Sequence, residues 1–208
     1  YNEHEKQTYN ELNENISKRY IGSWEKDKMN GNGTMYYSNG DIYIGNWIDG
    51  KRDGFGKMIY SDGTVYGGEW ENDKLGKKGT IVYPKKIGKK KTQQKWKTYT
   101  GEHSMLLPNG TGEMQYYDTS EFYMYKGDWK MGIFAGKGEL IYRNGRLYNG
   151  TFKDGKKDGN GKIIYEINEL EKGCYDFIYP TYDGTWKEDK REGHGEMTYK
   201  NGDKYIGD

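Results

Sequence analysis

The 208-residue chain is 32% hydrophobic and 16% aromatic, with 22 Tyr and 32 Gly, which excludes a conventional two-layer core rich in Leu, Ile and Val. Its 33 Lys and Arg balance 32 Asp and Glu, and a net charge of +1 argues against a generalised nucleic-acid binder. One Cys rules out an intrachain disulfide framework and favours a reducing, cytoplasmic compartment, and no apolar run approaches the ~18 residues of a membrane-spanning helix.

Residues 1–19 stand apart from the rest. Leu12 and Ile16 lie at i, i+4 within Glu11 to Arg19, so a short helix is expected there, either capping the first repeat or forming part of a linker. The chain lacks an initiating Met and stops inside a repeat, which leads us to expect a fragment of a longer protein.

From Tyr20 onward the sequence repeats about every 23 residues, the mark of a stacked array. Tyr20-Ile21-Gly22-Ser23-Trp24 returns as Tyr43 to Trp47, Tyr66 to Trp70, Tyr125 to Trp129 and Tyr182 to Trp186. His103 and Phe152 stand in place of Trp in two further copies. A Gly-x-Gly pair follows each time (Gly31/Gly33, Gly54/Gly56 and so on), and only the third copy breaks it, with Lys77 before Gly79. Four residues on comes a Tyr: Tyr37, Tyr60, Tyr83, Tyr116, Tyr142, Tyr165, Tyr199. The array thus runs over 20–208, with seven full repeats starting at 20, 43, 66, 99, 125, 148 and 182, and a truncated eighth at 205.

Residues two apart in a strand share a face, so each repeat lays Tyr, Trp, an aliphatic residue such as Met35 or Met58, and glycines on one side. The glycines let neighbouring aromatics lie over the backbone. Asp49-Gly50 and Asp154-Gly155 between strands, and Asn39-Gly40, Asp62-Gly63, Asn144-Gly145 and Asn201-Gly202 between repeats, are expected to be two-residue hairpin turns. The fold class read here is all-β: a single-layer antiparallel meander of stacked hairpins, about 14 strands, forming a rod or trough.

This pattern resembles the MORN repeat (membrane occupation and recognition nexus). The aromatic-glycine repeats of choline- and glucan-binding modules share its Gly, Trp and Tyr but not the Gly-x-Gly-x-x-x-Tyr half. The resemblance implies a cytoskeletal or membrane-associated scaffold, in some members self-associating into a homodimer. It also implies an alternative: a phospholipid-binding targeting or regulatory module of a larger enzyme such as a lipid kinase or methyltransferase.

Three insertions, near 84–98, 117–124 and 166–181, interrupt the array. The first is basic: Lys85, Lys86, Lys89, Lys90 and Lys91 are candidate contacts for anionic phospholipid, or else a solvated loop. Between the first and third, two turns are apolar where the others are charged: Met105-Leu106-Leu107, and Ile133-Phe134 after Met131. Adjacent repeats carry them, so they should lie side by side as a partner patch, extended by Tyr125 and Trp129 of the trough. Alternatively an insertion, such as Phe122 to Met124, covers them. The third insertion, with Cys174, Phe177 and Ile178, either packs on the array or meets a partner.

His4, His103 and His194 are scattered over different repeats and give no zinc spacing, and the Gly-x-Gly pairs precede no helix. No catalytic constellation, cofactor or metal is expected. The reading is a non-enzymatic scaffold that binds a peptide or helix through its aromatic trough and apolar turns.

Overall fold

Each repeat folds back on itself because its two halves alternate apolar and polar and are joined by two residues that take positive φ. The computed structural model describes residues 18–85, 95–165 and 179–208. They fall into two compact bodies, Tyr1–Pro84 and Lys85–Asp208. The first holds β1 (Arg19–Glu25), β2 (Lys28–Tyr36), β3 (Ile42–Ile48), β4 (Lys51–Ile59), β5 (Val65–Glu71) and β6 (Lys74–Val82). The second holds β7 (Trp96–Ser104), β8 (Leu107–Tyr116), β9 (Phe122–Lys130), β10 (Ile133–Tyr142), β11 (Leu147–Lys153), β12 (Lys156–Ile164), β13 (Thr181–Lys187), β14 (Lys190–Thr198) and β15 (Lys204–Gly207). Within each body the strands neighbour one another in chain order and pair antiparallel. The expected all-β meander is what forms, and the described residues contain no helix. Arg19 opens β1 rather than closing a helix, and residues 1–17 lie outside those described.

The two kinds of turn differ. Within repeats, both central residues are left-handed: Asp49 and Gly50 at φ 50° and 83°, Asp154 and Gly155 at 50° and 82°. Lys26-Asp27, Asn72-Asp73 and Glu188-Asp189 do the same without glycine. Between repeats the expected two-residue turn is not formed. Gly40 N–H donates to Tyr37 O at 3.0 Å, Tyr37 N–H donates to Asp41 O at 2.9 Å, and only Gly40 takes a positive φ. This is the longer connection of a turn followed by a left-handed glycine. Asn39 Oδ1 accepts from Asp41 N–H at 3.1 Å, and that side-chain bond favours the longer turn. Tyr60-Gly63-Thr64, Tyr142-Gly145-Arg146 and Tyr199-Gly202-Asp203 repeat the arrangement.

Each residue of the motif has a separate physical task. The first glycine of a pair sits in a bulge: Asp53 to Phe55 lie opposite Asn46, and Gly54 takes φ 87°. The bulge frees the carbonyl of Asn46, to which the Tyr43 hydroxyl donates at 3.1 Å. Tyr66 bonds Glu69 O at 3.2 Å, Tyr125 bonds Asp128 O at 2.9 Å and Tyr182 bonds Thr185 O at 3.0 Å in the same way. Lys77 is tolerated because this position takes no left-handed φ in repeat three. Burial pushes the phenols of Tyr43, Tyr66 and Tyr99 up to about 12, so they remain protonated donors at neutral pH.

The Trp ties repeats together. Trp47 Nε1–H donates to Gly33 O of the preceding repeat at 3.3 Å, and its ring meets Tyr20 and Tyr43 edge-on at 5.4 and 5.1 Å. Trp129 to Gly112 O at 3.1 Å and Trp186 to Gly161 O at 2.8 Å repeat the bond. On the opposite face of the first body a cross-strand ladder of Tyr36, Ile42, Ile59, Val65 and Val82 supports the sheet.

His103 occupies the Trp position in repeat four and is buried, which depresses its pKa below the ordinary value. The unfolded chain therefore binds the proton more readily than the folded one. Stability is fully present above the unfolded pKa of ~6.5 and declines as pH falls below it toward the folded value. Thermal melts from pH 7.5 to 5 are expected to show this decline in wild type and a shallower one in His103→Phe. Parallel curves would remove His103 as the titrating group.

Candidate partner-binding site

Consecutive turns lie side by side because each donates to the strand before it. Gly132 N–H bonds Pro108 O at 2.8 Å and Gly155 N–H bonds Phe134 O at 3.0 Å. In repeats two and six this row is polar and interlocked. Arg52, opposite Trp47 in the ladder, lies 4.2 Å over the Trp70 ring, and its Nε–H reaches Asp73 Oδ1 of the next turn at 2.9 Å. Burial alone would raise the Asp73 pKa, but bonds from the Arg52 backbone N–H and guanidinium outweigh it and hold the carboxyl below its ordinary value. Lys157 repeats the device, 5.2 Å over Trp186 and 3.9 Å from Asp189.

Repeats four and five lack this ion pair. Pro108 and Phe134 take the place of Arg52, and the next turns present Gly132 and Gly155 instead of an acid. Met105 and Leu106 form a left-handed turn at φ 49° and 62°, a conformation that costs an apolar L-residue about 1–2 kcal/mol each. Met105 is 86% exposed, Ile133 50% and Met131 48%, while Leu106 and Leu107 are half-buried. The patch expected from the sequence is thus partly present, with Met131 added.

Three residues assigned to that patch belong to the core instead. Tyr125, Trp129 and Phe134 are buried. Phe134 stacks on Tyr125 at 4.0 Å and 15°, and meets Trp129 and Phe152 at 5.1 and 5.5 Å. Here the trough aromatics fill the space over their own sheet face. Phe122, from the second insertion, extends β9 and packs 5.9 Å from Phe134, 5.6 Å from Tyr116 and 5.4 Å from Tyr142. The expected intrachain cover is therefore real at Phe134 and stops short of Ile133, Met131 and Met105.

Between cover and turns lies a groove of about 210 Å³ lined by Trp96, Tyr116, Phe122, Ile133 and Phe134, with Lys95 at its side. Trp96 lies across it, its ring edge 2.9 Å from where a Gly132 Cβ would be. Trp96, in the first insertion, was no part of the expected patch, and Phe122 entered it only as the alternative intrachain cover. Of the lysines proposed to meet lipid, Lys85 is exposed with Nζ 5.7 Å from the Tyr117 ring centroid, while Lys86, Lys89, Lys90 and Lys91 lie outside the described residues. His194 is exposed, its Nδ1 3.4 Å from Asp208 Oδ1. Among the described residues no cluster of His, Cys, Asp and Glu could hold a metal.

Among solved structures the chain is similar to the TCP domain of Drosophila melanogaster SAS-4 (dCPAP), solved in complex with a proline-rich motif of Ana2 (dSTIL). Identity is 15% and the TM-score 0.48, over 92% of this chain and 89% of that one. No curated protein matches the chain. The MORN repeat model matches residues 20–42, 43–65, 125–145, 148–168 and 182–204, leaving out repeats three and four, where Lys77 and His103 depart from the motif. These five matches span more than half of the sequence and carry the Tyr, Trp and glycines whose packing is described above, so the chain belongs to the MORN repeat family.

Proposed function

We propose that this chain is a non-catalytic β-repeat scaffold that binds a protein partner through the apolar groove and turn row of repeats four and five. Its place is cytoplasmic, peripheral at a membrane-associated or cytoskeletal structure. One observation carries the reading: Met105, Met131 and Ile133 are exposed together where equivalent turns are charged. Charged turns suffice to fold the other repeats, so apolar ones need another reason. Burying about 300 Å² of apolar surface contributes about 7 kcal/mol before association costs. Replacing Met105 and Ile133 with Ser is expected to abolish partner capture in pull-downs while leaving the melting temperature within a few degrees. Phe134→Ser should instead lower it sharply, because that ring is core. A large drop in the Met105/Ile133 variant would assign those residues to folding.

A second reading rests on the lysine run from Lys85 to Lys91, which suits anionic headgroups at about 1 kcal/mol per Lys near the surface. Reversing the charge of Lys89, Lys90 and Lys91 is then expected to abolish co-sedimentation with phosphoinositide vesicles. Equal sedimentation of wild type and variant would reject it.

A further inference from the structure

The groove combines an apolar floor with cations beside it. Several turn cations elsewhere are paired: Lys28 with Asp49 at 3.1 Å, Arg52 with Asp73 at 2.9 Å, Lys156 with Glu188 at 3.5 Å and Lys187 with Asp158 at 3.1 Å, while Lys51 reaches only Asn72 at 3.4 Å. Around the groove, Lys95 lines the side and Lys130 lies opposite Ile133 in the ladder. Lys153 opens the next turn, whose Gly155 abuts Ile133. None of these three forms an ion pair with a described residue. Lys85 and Lys95 both meet Tyr117, the neighbour of the groove-lining Tyr116. Against these stand Asp154, in the same turn as Gly155, and Glu121, beside Phe122; Asp118 is engaged with Arg143 at 3.2 Å.

We infer that the groove takes an acidic segment of a partner protein, one large apolar side chain seated against Phe122, Ile133 and Trp96 and flanked by Asp or Glu that pair with Lys95, Lys130 and Lys153. The inference rests on the groove reading above and adds the chemistry of the occupant. A cleft of about 210 Å³ suits a single Leu, Met or Phe anchor rather than the row of anchors on a long amphipathic helix. Exposed unpaired lysines around an apolar floor favour an acidic partner mainly through association rate and choice of partner.

The test is selection of random displayed peptides on the full chain, with an Ile133→Asp variant as counter-selection. Peptides that need Ile133 are expected to carry one large apolar residue between acidic ones. Charge reversal of Lys130 and Lys153 is expected to weaken their binding about tenfold or more at low salt, with the difference shrinking as salt rises. Ile133-dependent peptides that are neutral or basic overturn this inference and leave the groove reading standing. Failure to select any Ile133-dependent peptide, or binding that needs the lysines but not Ile133, overturns both.

Discussion

Trp47→Ala is expected to destabilise the first body by about 3–5 kcal/mol, measured by urea or thermal unfolding. The ring is 3% exposed and lies between Tyr20 and Tyr43, each met edge-on. Removal leaves a void bounded by both phenols and deprives Gly33 O of the indole donor 3.3 Å away. Part of the cost falls on the junction between the first and second repeats rather than on one hairpin. In an array held together by neighbour contacts, that loss should also broaden the transition. Trp47→Phe keeps most of the packing and loses the N–H; Phe152 shows that the fold accepts such a ring at this position in another repeat. It is expected to cost about 1–2 kcal/mol. A loss below about 1 kcal/mol for Trp47→Ala would show that the site collapses without a cavity.

Most of the fold was legible because the repeat shows each position several times. Tyr43, Trp47 and Met58 read as one face by their spacing, and all three are buried together. Whether such a face presents its rings to ligands or packs them on one another depends on how closely neighbouring rings approach, which alternation along a strand does not encode. Tyr125 and Trp129 were therefore read as part of an open surface when Phe134 and Phe152 close over them. The between-repeat turns were misread for a different reason. Asn39-Gly40 suits a two-residue turn by composition, but Tyr37 and Asp41 close a longer one.

One further regularity was present in the sequence and becomes intelligible only through the turn row. The residue opposite the Trp is a cation where the next turn's second residue is Asp, as in Arg52 with Asp73 and Lys157 with Asp189. It is apolar where that residue is glycine, as in Met29 with Gly50 and Phe134 with Gly155. A cation over the aromatic face needs a carboxylate to fix it, whereas Phe134 needs only the ring beneath it. The apolar patch is thus an extension of the array's own packing code, with Met105, Met131 and Ile133 left over as exposed apolar residues. They lie on the row of turns, apart from the buried ring of Phe134.

Gly45→Ala is expected to destabilise by about 3 kcal/mol, the upper end for overpacking, whereas Gly67→Ala should stabilise slightly, by about 0.5 kcal/mol. Both glycines belong to a Tyr-Ile-Gly or Tyr-Gly-Gly segment in an early repeat, and neither takes a positive φ. They differ in face. A Cβ on Gly45 would stand 2.5 Å from Gly56 Cα and 2.8 Å from Phe55 O, with the Tyr43 hydroxyl at 2.6 Å. Two of those obstacles are backbone, so relief requires β3 and β4 to separate and break the bond from Tyr43 to Asn46. A Cβ on Gly67 would meet nothing within 4 Å, because that position faces away from the aromatic layer between Lys57 and Thr80. There the main effect is a reduced entropy of the unfolded chain. Paired unfolding curves decide the matter: equal effects of the two substitutions would show that the Tyr-over-glycine contact does not hold the repeat together.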